Sequence, residues 1–362
     1  MSLRSPKPRS VWRAARLLRV QQAGLMLVIL FLGAALTAFA GRHRDPLSGR
    51  MVNNFLNPNT LLQTATDASF FAIMAVGATM VIISGGIDLS VGSAFALSGV
   101  TMALALRAWQ PVGALAVLLG LPLCVGVGLA CGLLNGLLVV GLRVHPFIIT
   151  LGTMWVFRGI AFVASGAKSI LVPDALTDTV KASLGLGQQL APIPLLATLG
   201  VAALGSVFLS RTVAGRHIFA VGGNAEASRY AGLPLGRVYV LVFALAGLTA
   251  GVAAYLGGAF YGSTSCADAT GYELYVIASA VVGGASLTGG KGSVISAMLG
   301  ALLITLIRQS IRTLHFDQNY EWIIIGCAII VAVVLDRASA ALAEKRLSRT
   351  APESASAKEA SP

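Results

Sequence analysis

Long apolar runs alternate with short polar or basic joints over most of this chain. A helix that crosses a bilayer needs about 20 mostly apolar residues. Ten runs approach that length and are predicted as spans: Ala23–Ala40, Ala65–Ser84, Val91–Leu106, Val112–Val140, Pro146–Ser165, Pro192–Leu209, Val238–Gly258, Tyr272–Gly284, Val294–Ile311 and Trp322–Leu335. The third, eighth and tenth are short, so tilted, broken or partly re-entrant segments are expected there. The fold class that follows is an all-α polytopic membrane protein of about ten transmembrane helices. Residues 1–21 form a basic N-terminal segment, 22–337 the membrane domain, and 338–362 an Ala, Ser, Glu and Lys tail expected to be disordered.

Composition supports this division. The 362 residues are 56% hydrophobic and only 11% charged, whereas a soluble domain carries about 25% charged residues. An ordinary soluble globule, a disordered chain and a nucleic-acid-binding module are excluded, and lipid is the expected surrounding. The net charge of +12 then reports orientation, because basic residues collect on the cytoplasmic side of membranes. With both termini inside, seventeen Lys and Arg residues fall in cytoplasmic segments and six on the other side. The N-terminal segment, the joint holding Arg211, Arg216, Arg229 and Arg237, and the tail supply most of the seventeen. Ala38-Phe39-Ala40 resembles a signal cleavage site, but the apolar run is longer than a signal core and more spans follow.

Three polar strings interrupt the apolar pattern. The first is Ser84-Gly85-Gly86-Ile87-Asp88-Leu89-Ser90-Val91-Gly92-Ser93. Paired glycines end one helix because they accept conformations other residues avoid. Asp88 and Ser90 are N-cap candidates for the next helix. Two readings stand open: a broken-helix element lining a polar path, or a capped turn at the membrane surface. The second string, Gly222 through Gly232, lies in the longest cytoplasmic joint. Asn224 is expected to cap a short helix, with Glu226 near its positive end and Gly232 stopping it. That helix is either a surface connector or a docking knob, with Ala225, Ala227 and Ala231 entering a partner's groove and Arg229 meeting an acidic rim.

The third string, Gly283-Gly284-Ala285-Ser286-Leu287-Thr288-Gly289-Gly290-Lys291-Gly292-Ser293, approaches a phosphate-binding loop. That pattern requires Gly where Ala285 stands and Ser or Thr where Gly292 stands. Nucleotide binding is rejected, and no other candidate for an ATPase site is found. The first and third strings also resemble each other: Ser90-Val91 with Ser93-Ala94 answers Ser293-Val294 with Ser296-Ala297. Both run inward and back out, as parallel repeats do.

Other chemistry is sparse. Asp67, Arg158, Glu273 and Arg308 fall toward the outer halves of spans, where they line a vestibule, pair with each other or snorkel. Thr150 and Thr153, after the helix-starting Pro146, face either a path or their own helix. Trp109 and Trp322 read as interface anchors. The four histidines are scattered and the four cysteines have no metal-ligand spacing. No catalytic set, metal site or cofactor is expected.

Taken together, these strings resemble the membrane permease of bacterial ATP-binding-cassette sugar importers. The branch is the ribose, galactofuranose and xylose type within the branched-chain-amino-acid-type permease superfamily. The resemblance runs from about Asn57 to Asp336 and rests on Ser84 to Gly92, Pro146 to Gly152, Gly222 to Gly232 and the two glycine pairs of the third string. It implies an inner-membrane homo- or heterodimer with a second permease subunit. It also implies a cytoplasmic ATPase with two fused nucleotide-binding domains, and a periplasmic sugar-binding protein. The translocation path would be shaped by Ser84, Gly85, Gly86, Asp88, Ser90, Thr150, Thr153, Gly283, Gly284, Gly289 and Gly290. Asn224, Glu226, Arg229 and Gly232 would form the loop that docks on the ATPase. The implied activity is transport without an enzymatic site in this chain.

Two alternatives come from other classes. An ion-coupled secondary transporter predicts acidic or His residues at mid-membrane depth, for which Asp88 is the one candidate. A membrane-embedded enzyme predicts convergent catalytic groups, which are missing. A branched-chain amino-acid permease is the near neighbour within the leading class.

Overall fold

The computed structural model describes residues 9–44, 49–183, 191–328, 330–331 and 333–334. In chain order the elements begin with α1 (Arg9–Phe39), β1 (Arg42–Arg44), β2 (Met51–Asn53), α2 (Pro58–Ile83), α3 (Val91–Trp109), α4 (Ala114–Leu142) and α5 (Pro146–Ser165). Next come β3 (Ile170–Leu171), α6 (Asp174–Val180), α7 (Ile193–Arg211), α8 (Val213–Gly223), α9 (Ala225–Tyr230) and α10 (Leu235–Tyr261). The series closes with β4 (Ser263–Thr264), α11 (Tyr272–Val282) and α12 (Val294–Thr313). Residues 320–328 are again helical. Two antiparallel strand pairs, β1 with β2 and β3 with β4, are the only sheet among the described residues. The chain is an all-α polytopic membrane protein.

Among the described residues, eight helices are long and apolar enough to cross a membrane: α1 to α5, α7, α10 and α12. Local chemistry sets their ends. The Asn57 side chain accepts the Thr60 N–H at 2.8 Å, with Pro58 in the first turn of α2. Pro146 opens α5, and Gly166 closes it at φ +59°, so predicted and observed limits coincide. The first helix starts at Arg9 rather than Ala23. The third span, short by its sequence pattern, is a full 19 residues. The predicted end of the tenth span lies outside the described residues, as does the tail.

The eighth predicted run, expected to be short, is two residues shorter still. The helix α11 has only 11 residues, about 16 Å of rise. The reason is the segment before it. After β4 the chain folds back along α3. Thr264 donates to the Gly99 carbonyl at 3.3 Å, and Ala269 then reaches Gly92. From Gly99 to Gly92 is roughly 10 Å of helix. Part of the bundle's depth is thus filled by irregular backbone, which is tolerated where protein buries it.

The core is built around α2. Fully 94% of its apolar window is buried, against 11% for α1. Its neighbours are α7, α8, α10, α11 and α12. Beside it, α4 and α10 run antiparallel with their backbones in contact. Gly128, Gly132 and Gly136 recur every fourth residue on α4, so they share one face. They lie against Gly247, the Phe243 carbonyl and Val240 of α10. A Cβ on Gly136 would come within 2.7 Å of the Val240 Cα. Without a hydrophobic drive between helices in lipid, such close small-residue packing is what holds helix pairs together. The outward faces carry exposed apolar side chains such as Phe31, Trp155, Val163 and Leu204, as a lipid-facing surface requires.

Candidate functional site

The first string forms the turn from α2 to α3. The end of α2 is closed by three backbone bonds: Ser84 N–H to Met80, Gly85 N–H to Ile82 and Gly86 N–H to Val81, at 2.9–3.1 Å. Gly85 sits at φ +87°, which is why glycine is needed there. The turn is sunk into the bundle. Gly86 lies against the Phe243 ring of α10. Ser90 is met by Asn135, about two helical turns short of the end of α4. The turn is therefore buried by protein on the sides that Phe243 and Asn135 cover.

Asp88 is buried at the centre of this turn. Its Oδ1 accepts both the Ser90 N–H (2.8 Å) and the Ser90 hydroxyl (2.7 Å). The Ser90 oxygen in turn accepts from Asn135 Nδ2 at 2.7 Å. Thr150 Oγ1 donates to the Ile87 carbonyl at 3.1 Å, tying α5 to the same turn. The expectation that Asp88 or Ser90 caps α3 is corrected. Ser90 occupies the cap position but makes no capping bond, because its hydroxyl is engaged by Asp88 and Asn135. Ser84 and Thr153 spend their hydroxyls on carbonyls of their own helices, Val81 and Thr150.

The third string repeats the same stop. Gly283 N–H bonds to Ser279, Gly284 N–H to Val281 and Ala285 N–H to Ala280, at 2.8–3.0 Å, with Gly284 at φ +94°. These offsets match those at the end of α2 one for one. The copies then diverge: Ser293 does cap α12, accepting the Ser296 N–H at 3.5 Å. Gly289 and Gly290 take φ +83° and +72° and bring the second turn onto the first. Gly290 N–H donates to the Ile83 carbonyl at 2.8 Å.

The second string lies at this same end of the bundle. The Asn224 side chain accepts the Ala227 N–H at 2.8 Å and caps α9 as expected. Gly232, at φ +78°, closes the helix, with its N–H bonded to Arg229. Glu226, Arg229, Tyr230 and the alanines 225, 227 and 231 are exposed. The preceding helix α8 packs beneath α2, α7 and α10. Its Gly222 touches both the Ile83 carbonyl and the Gly289–Gly290 backbone. The second and third strings therefore meet each other and Ile83, the residue just before the first.

Asp67 and Arg308, two of the ionisable residues singled out above, each stand in an ion pair. Asp67 pairs with Arg312 at 3.3 Å, and Arg308 with Glu321 at 2.7 Å. Arg308 also stacks over Phe71 and Tyr275. Arg158 donates to the Cys266 and Asp268 carbonyls, both at 2.6 Å, and so holds the folded-back segment. Glu273 Oε2 is buried near Gly92 without a hydrogen bond. Two cavities of about 540 and 410 Å³ lie at the end of the bundle away from the turns. No residue of the three strings lines them.

Asn135 is the site residue that sequence reasoning missed. The signal was available: one amide inside a long apolar run, flanked by glycines, is expensive in a membrane unless it has a partner.

The chain matches, over residues 60–333, the family described as branched-chain amino acid transport system, permease component. It is 37% identical over 286 residues to the D-allose transport system permease protein AlsC of Escherichia coli strain K12, covering 78% of this chain and 85% of that protein. It is 32% identical over 296 residues to the autoinducer 2 import system permease protein LsrD of Photorhabdus luminescens, covering 80% and 86%. The LsrD protein of Yersinia enterocolitica is likewise 32% identical, over 295 residues.

Proposed function

Because this chain belongs to the branched-chain amino acid transport system permease family, we propose that it is the membrane subunit of an ATP-binding-cassette importer for a monosaccharide. The observation that carries the substrate class is the 37% identity to a D-allose permease over 85% of that protein's length. The second group of relatives is named for import of autoinducer 2. Neither printed name is an amino-acid permease, so the sugar branch is favoured over its neighbour.

The physical logic is simple. A sugar is polar and uncharged, so crossing about 30 Å of hydrocarbon without hydrogen bonds is costly. A path for it needs hydroxyls, amides and exposed backbone rather than charges. The two sunken turns offer these. In this reading Ser84, Gly85, Gly86, Asp88, Ser90, Thr150 and Thr153 shape one half of the path, and Gly283, Gly284, Gly289 and Gly290 the other. Several of their hydroxyls are engaged within the protein, so they act chiefly by fixing the backbone. The turn end of the bundle faces the cytoplasm of a bacterial cell, with both termini on that side of the inner membrane. Asn224, Glu226, Arg229 and Gly232 dock on a separate ATPase with two fused nucleotide-binding domains. A periplasmic binding protein delivers the sugar to the other face, and a second permease subunit completes the path. ATP-driven movement of the docking helix selects between two arrangements of the bundle that make different contacts.

The test is purification of the tagged chain in mild detergent from native membranes, with mass spectrometry of what accompanies it. A stoichiometric ATPase with two nucleotide-binding domains is the expected result. In the reconstituted complex, Arg229→Ala should lower substrate-stimulated ATP hydrolysis roughly fivefold or more, the scale of a site-to-site coupling. Uptake by the purified chain without any ATPase overturns the reading and favours ion coupling through Asp88.

A further inference from the structure

Gly222 is the last residue but one of α8. A Cβ at this position would collide with the Ile83 carbonyl and lie 2.7 Å from the Gly290 nitrogen. From the other side, a Cβ on Gly289 would lie 2.6 Å from the Gly222 oxygen, and one on Gly290 2.7 Å from the Gly223 Cα. The Gly290 N–H to Ile83 carbonyl bond, 2.8 Å, passes through the same spot. Three stretches of backbone thus touch without an intervening side chain: the end of α2, the end of α8 and the turn before α12.

This contact has two mechanical properties. Side chains absorb small displacements by changing rotamer, and here there are none to do so; packed interfaces of this kind shift between discrete arrangements rather than yielding continuously. The contact also sits where both repeats break, since Ile83 precedes the first break and Gly289–Gly290 lies within the second. On the far side, α8 passes into α9 through Asn224 alone, whose side chain caps α9. No slack separates the docking helix from the contact.

We infer that Gly222 is the positioning residue through which movement of α8 and α9 reaches both helix breaks together. This rests on reading α9 as the ATPase-docking element, and it adds where that element's motion enters the bundle. Any side chain at residue 222 would push α8 away from both turns. The expected consequence is ATP hydrolysis that no longer drives uptake.

The experiment uses the complex with its ATPase and binding protein, reconstituted in lipid vesicles. Gly222→Ala is compared with Gly223→Ala, whose added Cβ meets nothing within 4 Å. With Gly222→Ala the ATPase should still copurify at wild-type stoichiometry. Uptake per ATP hydrolysed should fall at least about fivefold, while Gly223→Ala should keep the wild-type ratio. An unchanged ratio in Gly222→Ala overturns the inference. So does a loss of uptake that only follows a loss of assembled complex, because that is the mark of a purely structural role. A second measurement leaves the contact intact. Spin labels are placed at the exposed positions Ala220→Cys on α8 and Lys291→Cys on the second turn. Their separation should change by less than about 2 Å between nucleotide-free and ATP-trapped complex, within an interface helix shift. A larger relative movement overturns the inference. If the wild-type chain brings down no ATPase at all, the reading of α9 fails and the inference falls with it, a result distinct from the others.

Discussion

Asn135 donates its side-chain amide to the hydroxyl of Ser90 at 2.7 Å, joining the last third of α4 to the start of α3. The contact lies inside the bundle, and both residues are buried. It continues through the Ser90 hydroxyl to Asp88, so three polar side chains from two elements share one chain of hydrogen bonds. Buried networks of this type specify one arrangement when their members are satisfied. The Asn135 carbonyl oxygen has no partner, so this network is not fully satisfied on the α4 side.

Replacing Asn135 with Ala removes that bond but leaves Ser90 bonded to Asp88. The loss should be about 1 kcal/mol, the net value of a typical hydrogen bond, plus a small cavity. Thermal unfolding in detergent should show a modest drop. Asn135→Asp should cost more, because it brings a second carboxylate beside Asp88. A wild-type melting temperature in both variants would show that the network does not hold α3 to α4.

Asp88 should tolerate Asn and not Ala. The amide introduced by Asp88→Asn would retain an oxygen that accepts both Ser90 donors. Ala would strand a buried N–H and hydroxyl, at about 1–3 kcal/mol. Unfolding curves should therefore rank Asp88→Asn near wild type and Asp88→Ala well below it. Uptake by Asp88→Asn also separates the two transport classes: an ATP-driven importer should retain uptake, and an ion-coupled one should lose it.

Much of the architecture was legible in the chain, and the reason is physical. Hydropathy reports burial in lipid or protein, so every long helix lies where an apolar run stands. The limits of α5 were readable because Pro146 and Gly166 act locally. The shortness of α11 was readable from its short apolar run, but what fills the remaining depth was not, because residues 262–271 return along α3 through contacts far away in sequence. The pairings of Asp67 with Arg312 and of Arg308 with Glu321 were hidden for the same reason. Asn224 and Gly232 behaved as expected, since a cap is decided within four residues. Ser90 did not, because Asn135 reaches it from another helix.

The glycine ridge of α4 should be the least tolerant apolar surface. Gly132→Leu would drive a side chain into the Phe243 backbone of α10, where only strain or helix separation can accommodate it. Overpacking of this kind costs about 1–3 kcal/mol or more. Gly126, on the same helix, has nothing within 4 Å of its Cβ position. Gly126→Ala should be neutral or stabilising by up to about 1 kcal/mol through helix propensity. The amount of folded protein recovered from membranes checks both.

Arg158 should control access to Cys266. That cysteine is 1% exposed, and its carbonyl and that of Asp268 are held by the Arg158 guanidinium. Arg158→Met should free the folded-back segment. Mass spectrometry should then find faster alkylation at Cys266 in the variant, while Cys124, buried between α3 and α4, stays slow. Equal rates at Cys266 in both proteins would assign the segment's anchoring to the β3–β4 pair instead.

The burial of α2 has a consequence for how the protein is made. Thr64, Thr66, Ser69 and Thr79 on this helix are all buried, and its largest covering surface is α10, which begins only at Leu235. At synthesis rates of about 5–20 residues per second, α2 waits roughly ten to thirty seconds for that partner. During the wait its hydroxyls face lipid or the insertion machinery, bonded only back to their own helix, as Thr64 is to the Thr60 carbonyl and Thr79 to that of Ala75. The nascent chain must keep its most central helix in the membrane before most of what buries it exists, since only α7 and α8 among its neighbours are made earlier than α10.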